Sequence, residues 1–475
     1  KVLFVPTYHE SLKGILPVIN YLKDNYDTEC KVVLRNENMQ LEKEICEKNY
    51  IEFIYFRYQK NNSAHGRNIN NIKVIGNRTN GKNKLINSCK KLLRSINVLD
   101  ILYKTVYRLK KELDQQSLTY QNAYKLLKRE QPSAILVTND IRIDLEIFLL
   151  KVAKHLHIPT IQIGWSWTQS NSQYTQLQLH RESHGVIKKN DQWKVNLCKY
   201  LIPDIYGEID NKRILFNDPF VILVSKYFGL KSSSPINKGK NVDGITVPSN
   251  FQKNVYLNRA INREKIFLTG DPSNDKLIHL RKEKYKIKGR LLSALDIKES
   301  KTIVFIASSP LGYVSNKRNQ TTIDIIKMLL SLSLEIQVVF KPHPAEDIIS
   351  FEYLKNISDR VTVTDNFSVS ELAISSHLFI TIASSSLIEA VALDIPVVIY
   401  DFTKINYIDR YTYTRSVKRV FNLESMKIAV KNILLNVDVR KKTIKMQRHR
   451  IKPFAILDGK CTERNASVIM SYLSE

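Results

Sequence analysis

The residues best suited to chemistry lie in Val338–Val339–Phe340–Lys341–Pro342–His343–Pro344, an apolar run ending in a cation and an imidazole held between two prolines. Proline fixes φ and carries no N–H, so Pro342 and Pro344 stiffen a loop at a strand end and present Lys341 and His343 in a set geometry. A cation and an imidazole donor there suit a phosphate, as the leaving group of a nucleotide-activated donor requires. The competing reading is a surface loop after a core strand.

A second segment points the same way. Leu378–Ile382 reads as an apolar strand, and Ser384–Ser385–Ser386 precedes Leu387–Ile388–Glu389–Ala390–Val391–Ala392–Leu393, a helical pattern. Hydroxyls and N–H groups at a helix start bind anions, so the three serines are expected to hold phosphate without glycines. Glu389 either accepts hydrogen bonds from ribose hydroxyls or is a first-turn carboxylate favoured by the helix dipole. A third loop, carrying Ser308 and Ser309 after the run Thr302–Ala307, is a further phosphate or acceptor contact.

A transferred group also needs a carboxylate or histidine to deprotonate the acceptor hydroxyl. Asp140, after Ala134–Thr138, and His9 and Glu10, after Val2–Val5, stand at strand ends and are the candidates. Asp140 has a competing role as the cap of the helix that follows.

These residues must be positioned by short β-branched runs that alternate with helical patterns, the mark of an α/β fold on parallel sheets. Expected strands are Val2–Val5, Lys31–Leu34, Ile51–Phe56, Ala134–Thr138, Thr160–Gly164, Phe220–Ser225, Gly244–Pro248 and Lys265–Thr269. A second series comprises Thr302–Ala307, Ile336–Phe340, Val361–Thr364, Leu378–Ile382 and Pro396–Tyr400. The charged stretch Leu280–Ser300 reads as a short helix and crossover between them. Two Rossmann-like domains facing a central cleft account for the pattern, with ligands beyond the carboxyl ends of the strands. The expected boundaries are residues 1–285 for the first Rossmann-like domain, 300–440 for the second and 441–475 for helices packing back across both.

Residues 58–131 break the alternation. Lys84–Lys111 places Leu92, Leu93, Ile96, Leu99, Leu102, Val106 and Leu109 at helical spacing beside Lys90, Lys91, Arg94, Lys104, Arg108, Lys110 and Lys111. This is a basic amphipathic helical insertion, which either lies on an anionic membrane or packs on the first sheet with a solvated basic face.

The 475 residues are 43% hydrophobic and 25% charged, with 14 Gly and 14 Pro, which excludes disordered and fibrous classes. Lys+Arg 73 against Asp+Glu 46 gives a net +27, so an anionic partner is expected. No recognisable nucleic-acid-binding module accompanies that charge, and no nucleic-acid partner is expected. Cys30, Cys46, Cys89, Cys198 and Cys461 are odd in number and scattered, which argues against a disulfide framework or a zinc site. Without a secretory leader or an apolar run of membrane-spanning length, the expected location is cytoplasmic, peripheral on the inner face of the membrane.

The order strand–KPHP, then strand–SSSLIEA–helix–DIPVV, resembles the C-terminal half of GT-B-fold glycosyltransferases of bacterial surface polysaccharides. The groups it is most similar to are the capsule sialyl- and Kdo-transferases and the CDP-glycerol glycerophosphotransferases. Ile245–Ser249, Lys265–Asp275 and Leu457–Arg464 resemble further segments of that family, so the likeness covers roughly residues 134–475. It implies that His343, Lys341, Pro344 and the serines bind the donor's nucleotide phosphate, and that acceptor and general base come from the N-terminal half. Related transferases commonly carry Gln-His-Gly where this chain has Gln162–Ile163–Gly164.

The function expected from this resemblance is an inverting, metal-independent sugar transfer without cofactor, from a CMP-linked sialic acid or Kdo type of donor to an anionic glycan or lipid-linked acceptor. A CDP-glycerol or polyol phosphotransferase and a UDP-sugar transferase are the alternatives. An enzyme like UDP-GlcNAc 2-epimerase is a further one; that family resembles a glycine pair after the serine, where Ser386 here is followed by Leu387–Ile388.

Overall fold

A computed structural model describes residues 1–56, 85–140, 145–164, 175, 178–179, 196, 206–209, 211–216, 218–230, 238–308, 315–332, 335–344, 346–382, 384–401 and 416–474. Ser309 and residues 57–84 of the insertion lie outside them, as do the side chains of residues 85–104.

Two parallel sheets form the frame. In the first, β1 (Val2–Val5) is flanked by β2 (Cys30–Leu34) and β3 (Glu52–Tyr55) on one side and by β4 (Ala134–Val137) and β5 (Thr160–Gln162) on the other. The hairpin β6 (Tyr206–Ile209) and β7 (Lys212–Leu215) stands apart, and β8 (Gly244–Val247) and β9 (Ile266–Leu268) complete the order β3-β2-β1-β4-β5-β8-β9. The second sheet contains β10 (Thr302–Ala307), β11 (Ile336–Lys341), β12 (Val361–Val363), β13 (Leu378–Thr381), β14 (Val397–Tyr400) and β15 (Lys418–Val420), in the order β12-β11-β10-β13-β14-β15. The apolar runs of β1, β4, β13 and β14 are buried along their whole length. Helices cover both faces of each sheet, so these runs read as continuous rather than alternating.

The expected strand Phe220–Ser225 is instead part of a helix, Pro219–Tyr227. Asp218 caps it by accepting from the Phe220 N–H at 2.9 Å, and Pro219 occupies its first turn. That start signal outweighs the β-branched content that favoured a strand. The hairpin and β15 were not anticipated. β15 is an edge strand of sequence Lys-Arg-Val, in which charge guards the open edge and conceals the apolar signal.

The insertion contains one helix, Leu85–Glu130, of 46 residues, about 69 Å long at 1.5 Å per residue. Its last turns bury Ala123, Leu126 and Leu127 beside the helices Leu145–His155 and Pro219–Tyr227, and there it belongs to the core of the first domain. Gln116 locks this packing, donating to the Val221 carbonyl and accepting from the Ser225 hydroxyl, each at 3.2 Å.

Helices Asp275–Lys282 and Lys284–Ala294 lead from the first sheet to the second. The chain then returns. Gln447 of the helix Val437–Ile451 is fully buried, accepting from the Val397 N–H at 3.2 Å and donating to the Ile395 carbonyl at 2.6 Å. The final helix, Cys461–Leu473, packs Ala466 and Ile469 against the helix His9–Tyr26. Gly270 makes this possible: its φ is +86°, and a Cβ there would stand 2.3 Å from the Cys461 sulfur.

Candidate active site

β10 and β11 run in register to Ala307 and Lys341, and the Ser308 N–H donates to the Lys341 carbonyl at 2.9 Å. The two following loops therefore leave the sheet side by side. In the second loop, Glu346 Oε2 accepts from the Ser308 hydroxyl at 2.6 Å and from the His343 N–H at 3.1 Å, while its own N–H donates to the His343 carbonyl at 2.8 Å. Glu346 thus sets the loop between the prolines against Ser308. Sequence reasoning missed it, although its place three residues after a predicted site histidine was a signal.

Burial pushes the His343 imidazole below its ordinary value, against the opposing charges of Glu346 and Glu10. At physiological pH the ring is neutral, with one N–H to give and one nitrogen to accept. Glu10 comes from the other domain. It lies in the first turn of the helix His9–Tyr26, straight after β1, and His9 Nε2 stands 2.6 Å from its Oε2. Thr7 and Thr138 tie the ends of β1 and β4 together, the Thr7 N–H meeting Thr138 Oγ1 at 3.0 Å. Glu346 joins Ser308 to the His343 loop, and the Glu10 charge is close enough to act on the His343 imidazole.

Lys341 does not join them. Burial lowers its pKa, and its ammonium donates to the Asp365 carbonyl at 2.9 Å, bracing the loop after β12. Asp140 is also elsewhere: it is 0% exposed, and its Oδ2 accepts from the N–H groups of Gly239 at 2.7 Å and Asn241 at 3.3 Å. Lys238 lies beside it, yet burial dominates and lifts the carboxyl to about 6. Through Oδ2 the carboxylate holds the loop before β8.

Ser384 and Ser386 face each other, with hydroxyl oxygens 2.7 Å apart, and Ser385 is exposed. No serine side chain caps the helix Leu387–Ala392. The N–H groups of Leu387 and Ile388 already donate to the carbonyls of Ser384 and Ser385, so the loop offers hydroxyls more than free helix N–H groups. The Glu389 carboxylate accepts from the Ser370 hydroxyl and lies near Asp271, at the end of the first domain. Glu389 is thus the first-turn carboxylate of the helix Leu387–Ala392, one of its two expected roles, with Ser370 as its hydrogen-bond donor. Asp271, within the segment Lys265–Asp275, has its carboxyl lifted to about 6, mainly by burial and further by Glu389.

Asp275, Asp458 and Cys461 form a cluster that could hold a metal ion among the described residues. Their polar atoms are engaged otherwise. The Asp275 carboxylate accepts the N–H groups of Cys461 at 3.0 Å and Thr462 at 2.7 Å, and Asp458 makes two 2.8 Å bonds to Arg464. This is the start of the last helix.

Residues 229–464 match the family of CDP-glycerol:poly(glycerophosphate) glycerophosphotransferases, a stretch that contains all of β10 to β15 and the loops of Ser308, His343 and Ser384–Ser386. The chain has the GT-B fold.

A curated relative of the chain is the UDP-N-acetylglucosamine--N-acetylmuramyl-(pentapeptide) pyrophosphoryl-undecaprenol N-acetylglucosamine transferase of Thermodesulfovibrio yellowstonii. It is 26% identical over 185 residues, 38% of this chain and 46% of the relative. The chain therefore spans about half the length of that relative. Among solved structures, UDP-GlcNAc 2-epimerase from Neisseria meningitidis, bound to UDP-GlcNAc, is similar with a TM-score of 0.57 at 13% identity, covering 100% of this chain and 99% of that one. The wall teichoic acid polymerase TagF soaked with CDPG gives 0.54 at 13% identity, over 100% and 88%. The calicheamicin glycosyltransferase CalG4 gives 0.53 at 11%, over 100% and 98%. At these identities the likeness is one of fold.

Proposed function

We propose that the protein transfers a unit from a cytidine-activated donor to an anionic surface glycan or lipid-linked acceptor, releasing CMP. The observation that carries this reading is the set of three adjoining loops of Ser308, His343 and Ser384–Ser386 at strand ends inside the glycerophosphotransferase match. In this reading the donor phosphate lies against those loops, and neutral His343 gives its N–H to charge that develops as CMP leaves. Glu10, with His9 against it, takes the acceptor proton from the facing domain. Side chains, with no metal, are assigned both roles.

The family match favours glycerol phosphate as the transferred unit, from CDP-glycerol. A second reading, transfer of a sugar from a CMP-linked sialic acid or Kdo donor, is favoured by one departure: β5 runs into Gln162–Ile163–Gly164, with no histidine at the strand end. Both release CMP. The test is to supply CDP-glycerol, CMP-sialic acid, CMP-Kdo and UDP-GlcNAc separately and measure the nucleotide released. CMP from a cytidine donor supports the reading and tells the two units apart, whereas UDP release from UDP-GlcNAc alone overturns it.

We place the reaction on the cytoplasmic face of an anionic membrane. No helix among the described residues is long and apolar enough to cross a membrane. Support for surface attachment comes from the long helix, where Val106, Tyr107 and Leu113 are exposed beside Lys110 and Lys111, and from Leu223 and Tyr227 on the adjoining helix. Arg108 is not part of that face, because it pairs with Asp218 and covers the Phe220 ring at 5.1 Å.

A further inference from the structure

We propose that the first domain holds a second phosphate-binding site, formed by Lys151, Lys154, Lys240 and Lys265 at the end of the sheet opposite the cleft. The four lysines line one cavity of about 120 Å³, room for about four water volumes and so for a tetrahedral oxyanion. They arrive from three separate stretches of chain: the second half of the helix Leu145–His155, the loop before β8 and the residue before β9. Cations near a helix C-terminus are favoured by its dipole, which accounts for Lys154 in the last turn. It does not account for Lys240 and Lys265 converging on the same space.

None of the four makes an ion pair among the described residues. The one carboxylate in the lining, Asp243, is engaged: its Oδ2 accepts from the Thr160 N–H at 2.9 Å and from the Thr160 hydroxyl at 2.7 Å. The cavity therefore carries four positive charges against one negative. Like charges gathered round a partly enclosed space repel one another, and a bound dianion removes that cost. Lys151 is also placed by backbone. Its ammonium lies 3.0 Å from where a Cβ on Gly229 would stand, and Gly229 has φ +66°, so glycine alone leaves the ammonium its seat over the chain.

The site is distinct from the proposed donor loops. The donor loops follow the carboxyl ends of β10, β11 and β13, whereas the lysine cavity borders the start of β5, β8 and β9 in the other domain. Its ligand is a phosphate group carried either by an anionic lipid or by a soluble phosphate-bearing glycan.

Lysine acetylation of the full chain, read residue by residue by mass spectrometry at constant ionic strength, tests this. Inorganic phosphate should slow acetylation of Lys151, Lys240 and Lys265 at least fivefold and leave Lys441 and Lys445, on the helix Val437–Ile451, unchanged. No protection, or equal protection at Lys441 and Lys445, overturns the proposal. Two further arms separate the sources. Protection by phosphatidylglycerol vesicles and not by phosphatidylcholine vesicles assigns the lipid; protection by soluble poly(glycerol phosphate) alone assigns the glycan. The Lys151→Gln/Lys240→Gln variant, checked for unchanged thermal unfolding, should lose phosphate protection at Lys265; retention of that protection also overturns the site.

Discussion

The Ser308 hydroxyl donates to Glu346 at 2.6 Å, joining the loops after two neighbouring strands through a carboxylate that also receives the His343 N–H. Glu346 is therefore a positioning residue with an electrostatic effect, since its charge opposes the burial that lowers the His343 pKa. Glu346→Gln removes that charge, so His343 should titrate at a lower pH than in wild type. The acid limb of the pH–rate profile should move to lower pH, and the rate should fall about 10- to 100-fold as the loop loosens. A rate loss with an unmoved acid limb would leave Glu346 a purely structural role.

His343→Ala should lower kcat by about 10²–10³, the usual effect of removing one donor to developing charge. The side chain is only partly buried, so thermal unfolding should stay cooperative with little change in Tm. Wild-type turnover in this variant would refute the assigned contact.

CMP should raise Tm more than UDP or GDP at equal concentration. Binding to the native state adds RT ln(1 + [L]/Kd), about 2.7 kcal/mol at a hundredfold excess over Kd. Greater stabilisation by UDP would move the donor from cytidine to uridine.

Asp140 makes the fold sensitive to pH. Its carboxyl rises from an ordinary 3.8 to about 6 on folding, so the folded state binds the proton more tightly. The resulting stability is fully present below pH 4 and is lost as pH rises through about 6. Asp140→Asn should remove this component of the slope between pH 4 and 6 in urea unfolding, with the loop N–H groups still bonded to the amide oxygen. An unchanged slope would show that Asp140 is not the group responsible.

Membrane attachment through the long helix predicts co-sedimentation with phosphatidylglycerol vesicles at low salt and release at high salt. Changing Lys90, Lys91, Lys110 and Lys111 to Gln should weaken it strongly. Equal sedimentation of variant and wild type would return the helix to the reading of a solvated basic face.

Local chemistry alone made much of this molecule legible. Buried parallel strands have near-continuous apolar runs, so β1, β4, β10, β11, β13 and β14 could be placed from the chain, and the KPHP and serine loops with them. Where another local signal competed, the reading failed: Asp218 and Pro219 turned an apparent strand into a helix, and charge on β15 hid an edge. What a strand-end side chain does was decided by tertiary structure. Asp140 and Glu10 look alike in sequence, each a carboxylate just past a strand, but the fold closes a backbone loop over one and leaves the other against His9, with its charge acting on His343. Glu346 and Asp271 became visible only with their partners, because a carboxylate's role is set by the charges, donors and solvent around it. Those neighbours come from residues 38 and 118 positions away, Ser308 and Glu389, which no local pattern brings together.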